Sequence, residues 1–279
     1  MLNEDYKQDK ENRQLSIKLA KTIFKGLSNP KLTYDIVQNM IVVDLTKEIS
    51  SLSPIFNPYK YGILICNSNI EPDYACSEAS DGKSFYIMVP WIDNNPQEYV
   101  SDLILKKHKR KTESLYLKEK QKNPDFDINS FVSKLGQQYL RQEIFANAKY
   151  SFDKYSISTF IHECTHLIDK VRRKKKYQPK PQKFNTKQGL INYYNSPEEF
   201  NAFYQQTLYE IDDLLNDKII SKKDYKNFED FFVLFLLRYK GNSKYITDEN
   251  MVRLKKRVYN YWKNNFSMPK YQDFSNPKN

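Results

Sequence analysis

Five consecutive residues, His162-Glu163-Cys164-Thr165-His166, contain two of the three histidines in the chain. On a helix, residues four apart lie one turn apart on the same face, so both imidazoles can hold one metal ion while Glu163 stands beside them. A carboxylate so placed can take a proton from a water that the ion polarises, and the chemistry this predicts is zinc-dependent hydrolysis with Glu163 as general base. From Ile157 the apolar residues Phe160, Ile161, Cys164, Ile168 and Val171 keep the i, i+3, i+4, i+7 rhythm of an amphipathic helix. At about 100° per residue His162 and His166 fall opposite that stripe, together with Asp169 and Arg173. The pattern predicts a helix packed on one face and presenting its histidines on the other, as the floor of a cleft. Asp169 is placed either to orient His166 or to pair with Arg173 four residues on.

A catalytic zinc takes three protein ligands and leaves its fourth position to water. No histidine follows His166, so a carboxylate has to serve, and the first glutamates downstream are Glu198 and Glu199 in Ser196-Pro197-Glu198-Glu199-Phe200-Asn201-Ala202. With the HExxH pattern before it, this stretch resembles the P-x-E-x-x-A element of gluzincin-type metallopeptidases, in particular their small bacterial and phage members. The resemblance spans Ser156 to roughly Gln206. It implies a zincin-like fold, Zn²⁺ as cofactor, His162, His166 and Glu199 as the metal ligands, and a protein or peptide substrate. Where other zincin classes carry a third histidine this chain has Asp169, Lys170 and Arg172, which disfavours those classes. A purely structural use of Glu199 competes with the ligand role: Ser196 and Glu199 have the spacing of a capping box, with Pro197 at the first helical position. Glu198, then Asp212 or Asp213, are the remaining carboxylate candidates. For the oxyanion of a tetrahedral intermediate the sequence offers Tyr193, Tyr194 and His108.

The elements that must position these residues are readable in outline. An opening helix is expected from Asn12 to Gly26, then strands near Met40 to Leu45, Tyr61 to Cys66 and Ser84 to Val89, separated by turn residues such as Asn57-Pro58 and Asp81-Gly82. Phe85 to Val89 has the character of an edge strand, against which an extended peptide could lie by main-chain hydrogen bonding. Helices follow: Pro96 to Lys120, Ile128 to Ala148, the motif helix, the third-ligand helix to about Leu215, and two more at Lys223 to Lys240 and Asp248 to Asn264. A small sheet in the N-terminal half followed by helices is an α+β order, predominantly helical and zincin-like. The expected organisation is an N-terminal lobe over 1–152, the motif and third-ligand helices over 153–215, and a helical extension over 216–279, forming one catalytic unit.

Composition narrows the setting. Of a net charge of +11, nine basic residues and no acid lie between Lys170 and Lys187, the connection between the motif helix and the third-ligand helix. Pro179 and Pro181 argue against a continuous helix there. Such a segment suits an acidic partner or nucleic acid, or serves only as a solvated loop. A second basic tract runs from Lys106 to Lys111 on an expected surface helix. The longest apolar run, Phe231 to Leu237, is far short of the roughly 20 residues a membrane span requires and reads as helix core, so no membrane association is expected. The polar stretch Met1 to Arg13 does not read as a signal peptide. Three cysteines, Cys66, Cys76 and Cys164, are an odd number without metal spacing and point to a reducing compartment, with Cys164 as core. A cytoplasmic protein, bacterial or phage-encoded, is the resulting expectation. Two other functions fit: a non-catalytic, virion-associated protein that keeps the fold as structure, and a protease localised on nucleic acid by its basic loop.

Overall fold

The computed structural model describes residues 2–29, 34–37, 40–67, 75–92, 95–123, 126–154, 157–173 and 186–266. Residues 174–185, which carry most of the basic connection, lie outside the described residues. Contacts divide the chain into two compact units, Gln14–Gln178 on one hand and Met1–Arg13 with Pro179–Asn279 on the other. The boundary falls inside the 153–215 segment.

The first unit begins within α1 (Leu2–Leu27), whose buried residues Ser16, Leu19, Ala20, Ile23 and Leu27 recur at the three- and four-residue spacing of one helical face. A five-stranded sheet follows: β1 (Tyr34–Val37), β2 (Met40–Asp44), β3 (Lys60–Asn67), β4 (Ala75–Glu78) and β5 (Ser84–Ile92), with the short helix α2 (Thr46–Ser50) between β2 and β3. The spatial order is β1-β2-β3-β5-β4; only the β3–β5 pair is parallel. β2 alternates inward Ile41 and Val43 with more exposed neighbours, the period of a half-buried strand. β3 is apolar almost throughout because it is interior. Near its start Gly62 is obligatory: a Cβ there would stand 2.3 Å from the Val43 carbonyl oxygen and 3.3 Å from the Tyr86 ring.

The expectation that Phe85 to Val89 forms an edge is corrected by this topology. β5 lies between β3 and β4, and the edge on that side is β4, antiparallel to β5. Four residues of modest hydrophobicity, Ala75-Cys76-Ser77-Glu78, carry no periodic signal; their strand conformation comes from pairing with β5.

Helices α3 (Pro96–Asp102), α4 (Lys109–Lys122), α5 (Ile128–Lys154) and α6 (Ile157–Arg173) complete this unit. The single helix expected over Pro96 to Lys120 is interrupted by a π-turn at Leu103–Lys107 and by non-helical backbone at His108. Here the basic tract is anchored: Lys106 pairs with Asp102, Lys107 with Glu143, and the His108 ring stacks on Tyr139 at 4.1 Å. α6 packs on β4 and β5.

The second unit holds α7 (Lys187–Tyr194), α8 (Pro197–Asn216), α9 (Phe228–Arg238) and α10 (Asp248–Asn265). Its core is largely aromatic: Phe200, Tyr204, Leu208 and Ile211 of α8 meet Phe231 and Phe235 of α9 and Leu254, Val258 and Tyr261 of α10. Each helix begins on a polar cap whose side chain accepts a backbone N–H, namely Thr186, Ser196, Asn227 and Thr247. Arg257 of α10 makes a two-pronged ion pair with Asp9 (3.0 and 2.7 Å), donates to Asn201 at 2.9 Å and lies 3.9 Å over the Tyr204 ring. Within the apolar run, Phe231, Phe232, Leu234 and Phe235 are buried while Val233 and Leu237 face outward, as the helical period dictates. Among the described residues no helix is long and apolar enough to cross a membrane.

Candidate metal centre

The stripe of α6 behaves as its spacing predicts. Phe160, Ile161, Cys164, Ile168 and Val171 are buried, and two polar side chains fix the helix further. Thr165 Oγ1 donates to the Ile161 carbonyl at 2.7 Å and meets Ser16 Oγ of α1 at 3.1 Å, while Lys170 Nζ donates to the Cys76 carbonyl of β4 at 2.8 Å. These contacts define the rotation of α6 about its axis, and so the direction in which the histidines point.

His162 and His166 come together as expected, with Nε2 atoms 3.0 Å apart and ring planes at 81°. Two nitrogens bound to one tetrahedral zinc at about 2.0–2.1 Å stand about 3.3 Å apart, so the pair fits a shared ion with a small adjustment. The expected open cleft floor is not what the helix presents. His162 and Glu163 are each 6% exposed and His166 8%, so the polar side of α6 is nearly as buried as the apolar side. Two desolvated imidazoles with nitrogens in line at this distance need a proton or a cation between them. Asp169 is partly exposed one turn on; the Arg173 side chain lies outside the described residues.

Both thiols next to this site are held in their protonated form. Burial pushes the Cys76 thiol up to about 12, with the Lys170 charge opposing and the Glu163 carboxylate adding to the rise. Cys164 is raised well above its ordinary value by burial first, then by Cys76 and Glu163. Cys164 belongs to the core, in keeping with its position on the apolar stripe.

Glu199 stands in the first turn of α8, beside the fully buried Ala202. Ser196 Oγ accepts the Glu199 N–H at 3.3 Å, which is one half of a capping box. The other half belongs to a different residue: the Ser196 N–H goes to the Tyr193 carbonyl at 3.1 Å. The Ser196 N–H is thus committed to the Tyr193 carbonyl. Asp212 is committed elsewhere, accepting from the Tyr261 hydroxyl and pairing with Arg13 at 3.4 Å. Asp213 is exposed, and partial burial with the Asp217 charge raises its carboxyl above the usual value.

The three oxyanion candidates are all engaged in ring packing. Tyr194 stacks on Tyr245 at 5.8 Å, Tyr193 meets Tyr194 and Phe203 edge-on, and His108 lies on Tyr139. Another tyrosine was not legible in the sequence: Tyr239, just past α9, is 8% exposed and has its hydroxyl in the interior. Its surroundings come from residues far apart in the chain, so no local pattern marks it.

Comparisons with protein-family models, with curated proteins and with solved structures find no match.

Proposed function

We propose that this protein is a zinc-dependent endopeptidase, with His162, His166 and Glu199 as metal ligands and Glu163 as general base. The observation that carries the reading is the buried pair of imidazole nitrogens, 3.0 Å apart, with a buried glutamate between them in sequence on the same helix. A two-histidine, one-carboxylate set could hold a metal ion, and Glu199 supplies the carboxylate. Zinc held there would act as a Lewis acid towards a carbonyl and lower the pKa of a bound water towards about 7.

Everything else falls to the chain. His162 and His166, held on a helix that is clamped to α1 and β4, keep their nitrogens convergent with little reorganisation. Glu163 accepts a proton from the attacking water and passes it to the nitrogen of the departing amine, so that water's O–H and the peptide C–N bond are broken and a carboxylic acid and an amine result. The near-complete burial of Glu163 strengthens both proton transfers by excluding competing solvent. An extended substrate would add to the outer edge of β4 rather than to β5, because β4 is the edge strand on the side where α6 packs. The excess of basic residues from Lys170 to Lys187 favours an acidic polypeptide as that substrate.

The test is Glu163→Gln, which keeps the shape of the side chain and removes its basicity. Zinc content should stay at the wild-type level while cleavage of an unstructured acidic protein such as casein falls by about 10²–10⁴-fold. Unchanged cleavage by the variant would refute the assignment.

A further inference from the structure

Tyr239 follows the last turn of α9 and buries its phenol hydroxyl, which has no hydrogen-bond partner among the described residues. The position of the ring is tightly determined. It lies 6.2 Å from the Phe203 ring and 5.7 Å from the Phe235 ring. Behind it, a Cβ on Gly241 would approach its Cε1, Cζ and hydroxyl to 2.5, 2.7 and 2.9 Å, so only glycine leaves the ring where it is. Phe203 is four residues beyond Glu199 on α8, so the two share a face of that helix. A ring packed on Phe203 therefore lies at the face that carries Glu199. The Glu199 charge is felt there: burial raises the pKa of the Tyr239 phenol first, with Glu199 and Tyr194 adding to the rise and Arg257 opposing it. The hydroxyl is thus a permanent donor, and burying a donor without an acceptor is unfavourable unless an acceptor arrives in some state of the protein.

We propose that Tyr239 is a positioning residue of the metal centre, its hydroxyl donating a hydrogen bond to the Glu199 carboxylate when that carboxylate binds a divalent cation. The inference rests on Glu199 being a metal ligand. A carboxylate that gives one oxygen to an ion has a second oxygen to satisfy, and such outer donors orient ligands and hold them in place.

The experiment compares the full chain as wild type, Tyr239→Phe and His166→Ala, titrated with Zn²⁺ against a chromophoric chelator, with melting temperatures of the metal-free proteins. Phenylalanine keeps the ring against Phe203, Phe235 and Gly241 and removes only the hydroxyl. Tyr239→Phe should bind zinc about 10–100-fold more weakly, and its metal-free melting temperature should equal or exceed that of wild type. Unchanged zinc affinity in Tyr239→Phe, with binding abolished in His166→Ala, overturns the role of Tyr239 and leaves the site standing. A lower metal-free melting temperature in Tyr239→Phe also overturns it, since the hydroxyl would then serve the fold itself. A wild type that takes up no zinc overturns the site and the inference together.

Discussion

The Nε2 atoms of His162 and His166 stand 3.0 Å apart on consecutive turns of a helix that is buried on both sides. Purified protein prepared without chelator should therefore contain close to one zinc per chain by elemental mass spectrometry, and His162→Ala or His166→Ala should contain almost none. A folded wild type that fails to take up zinc on reconstitution would remove the metal reading.

Ser196 and Glu199 should separate by role. Ser196→Ala removes the acceptor for the Glu199 N–H and should cost about 1 kcal/mol of stability in urea denaturation, with zinc content intact. Glu199→Ala should do the reverse, losing zinc while the metal-free protein keeps its denaturation midpoint. Glu199→Ala with full zinc and reduced stability would return this residue to a structural function.

Asp81 provides an acid-dependent contribution to stability. In the turn between β4 and β5 its carboxylate accepts the Lys83 N–H (2.7 Å), the Ser84 hydroxyl (2.7 Å) and the Ser84 N–H (2.9 Å), and these bonds, the Lys83 one foremost, hold its pKa below the ordinary 3.8. A carboxyl depressed in the folded state stabilises fully above its unfolded pKa, and that contribution is lost as pH falls through the folded value. Carboxyl NMR should give Asp81 a midpoint below 3.8, and Asp81→Asn should flatten the acid limb of the stability profile. A midpoint at or above 3.8 would contradict the turn geometry.

Gly62→Ala should destabilise the first unit by about 1–3 kcal/mol, because the new methyl collides with the backbone of β2 rather than with a flexible side chain. Urea denaturation followed by far-ultraviolet circular dichroism reads this directly. An unchanged midpoint would mean that β2 and β3 are not in contact at Val43.

Legibility followed the range of the interactions involved. α6 was readable because Phe160 to Val171 carry its period inside one helix of 17 residues, and the start of α8 because Ser196 and Pro197 are local signals. β1 and β4 were not readable. Each is four residues long and is defined by its partner, β1 by β2 and β4 by β5. The same limit misplaced the sheet edge, since the apolar character of Phe85 to Val89 is shared by edge and interior strands. The π-turn at Leu103–Lys107 interrupts a helix whose sequence reads as continuous, and the seat of His108 depends on Tyr139 thirty-one residues away. Burial of the histidine face was hidden as well, because an amphipathic stripe tells which side of a helix is apolar and not whether the other side is covered.

The ion pair between Asp9 and Arg257 joins residues 248 positions apart. A ribosome releases the chain from its N-terminus, so Gln14–Gln178 can reach its native arrangement while Arg257 is still unmade and Asp9 has nothing to hold. The unit built from residues 1–13 and 179–279 closes only after α10 has emerged. The helix that carries His162 and His166 can therefore form before the helix that carries Glu199.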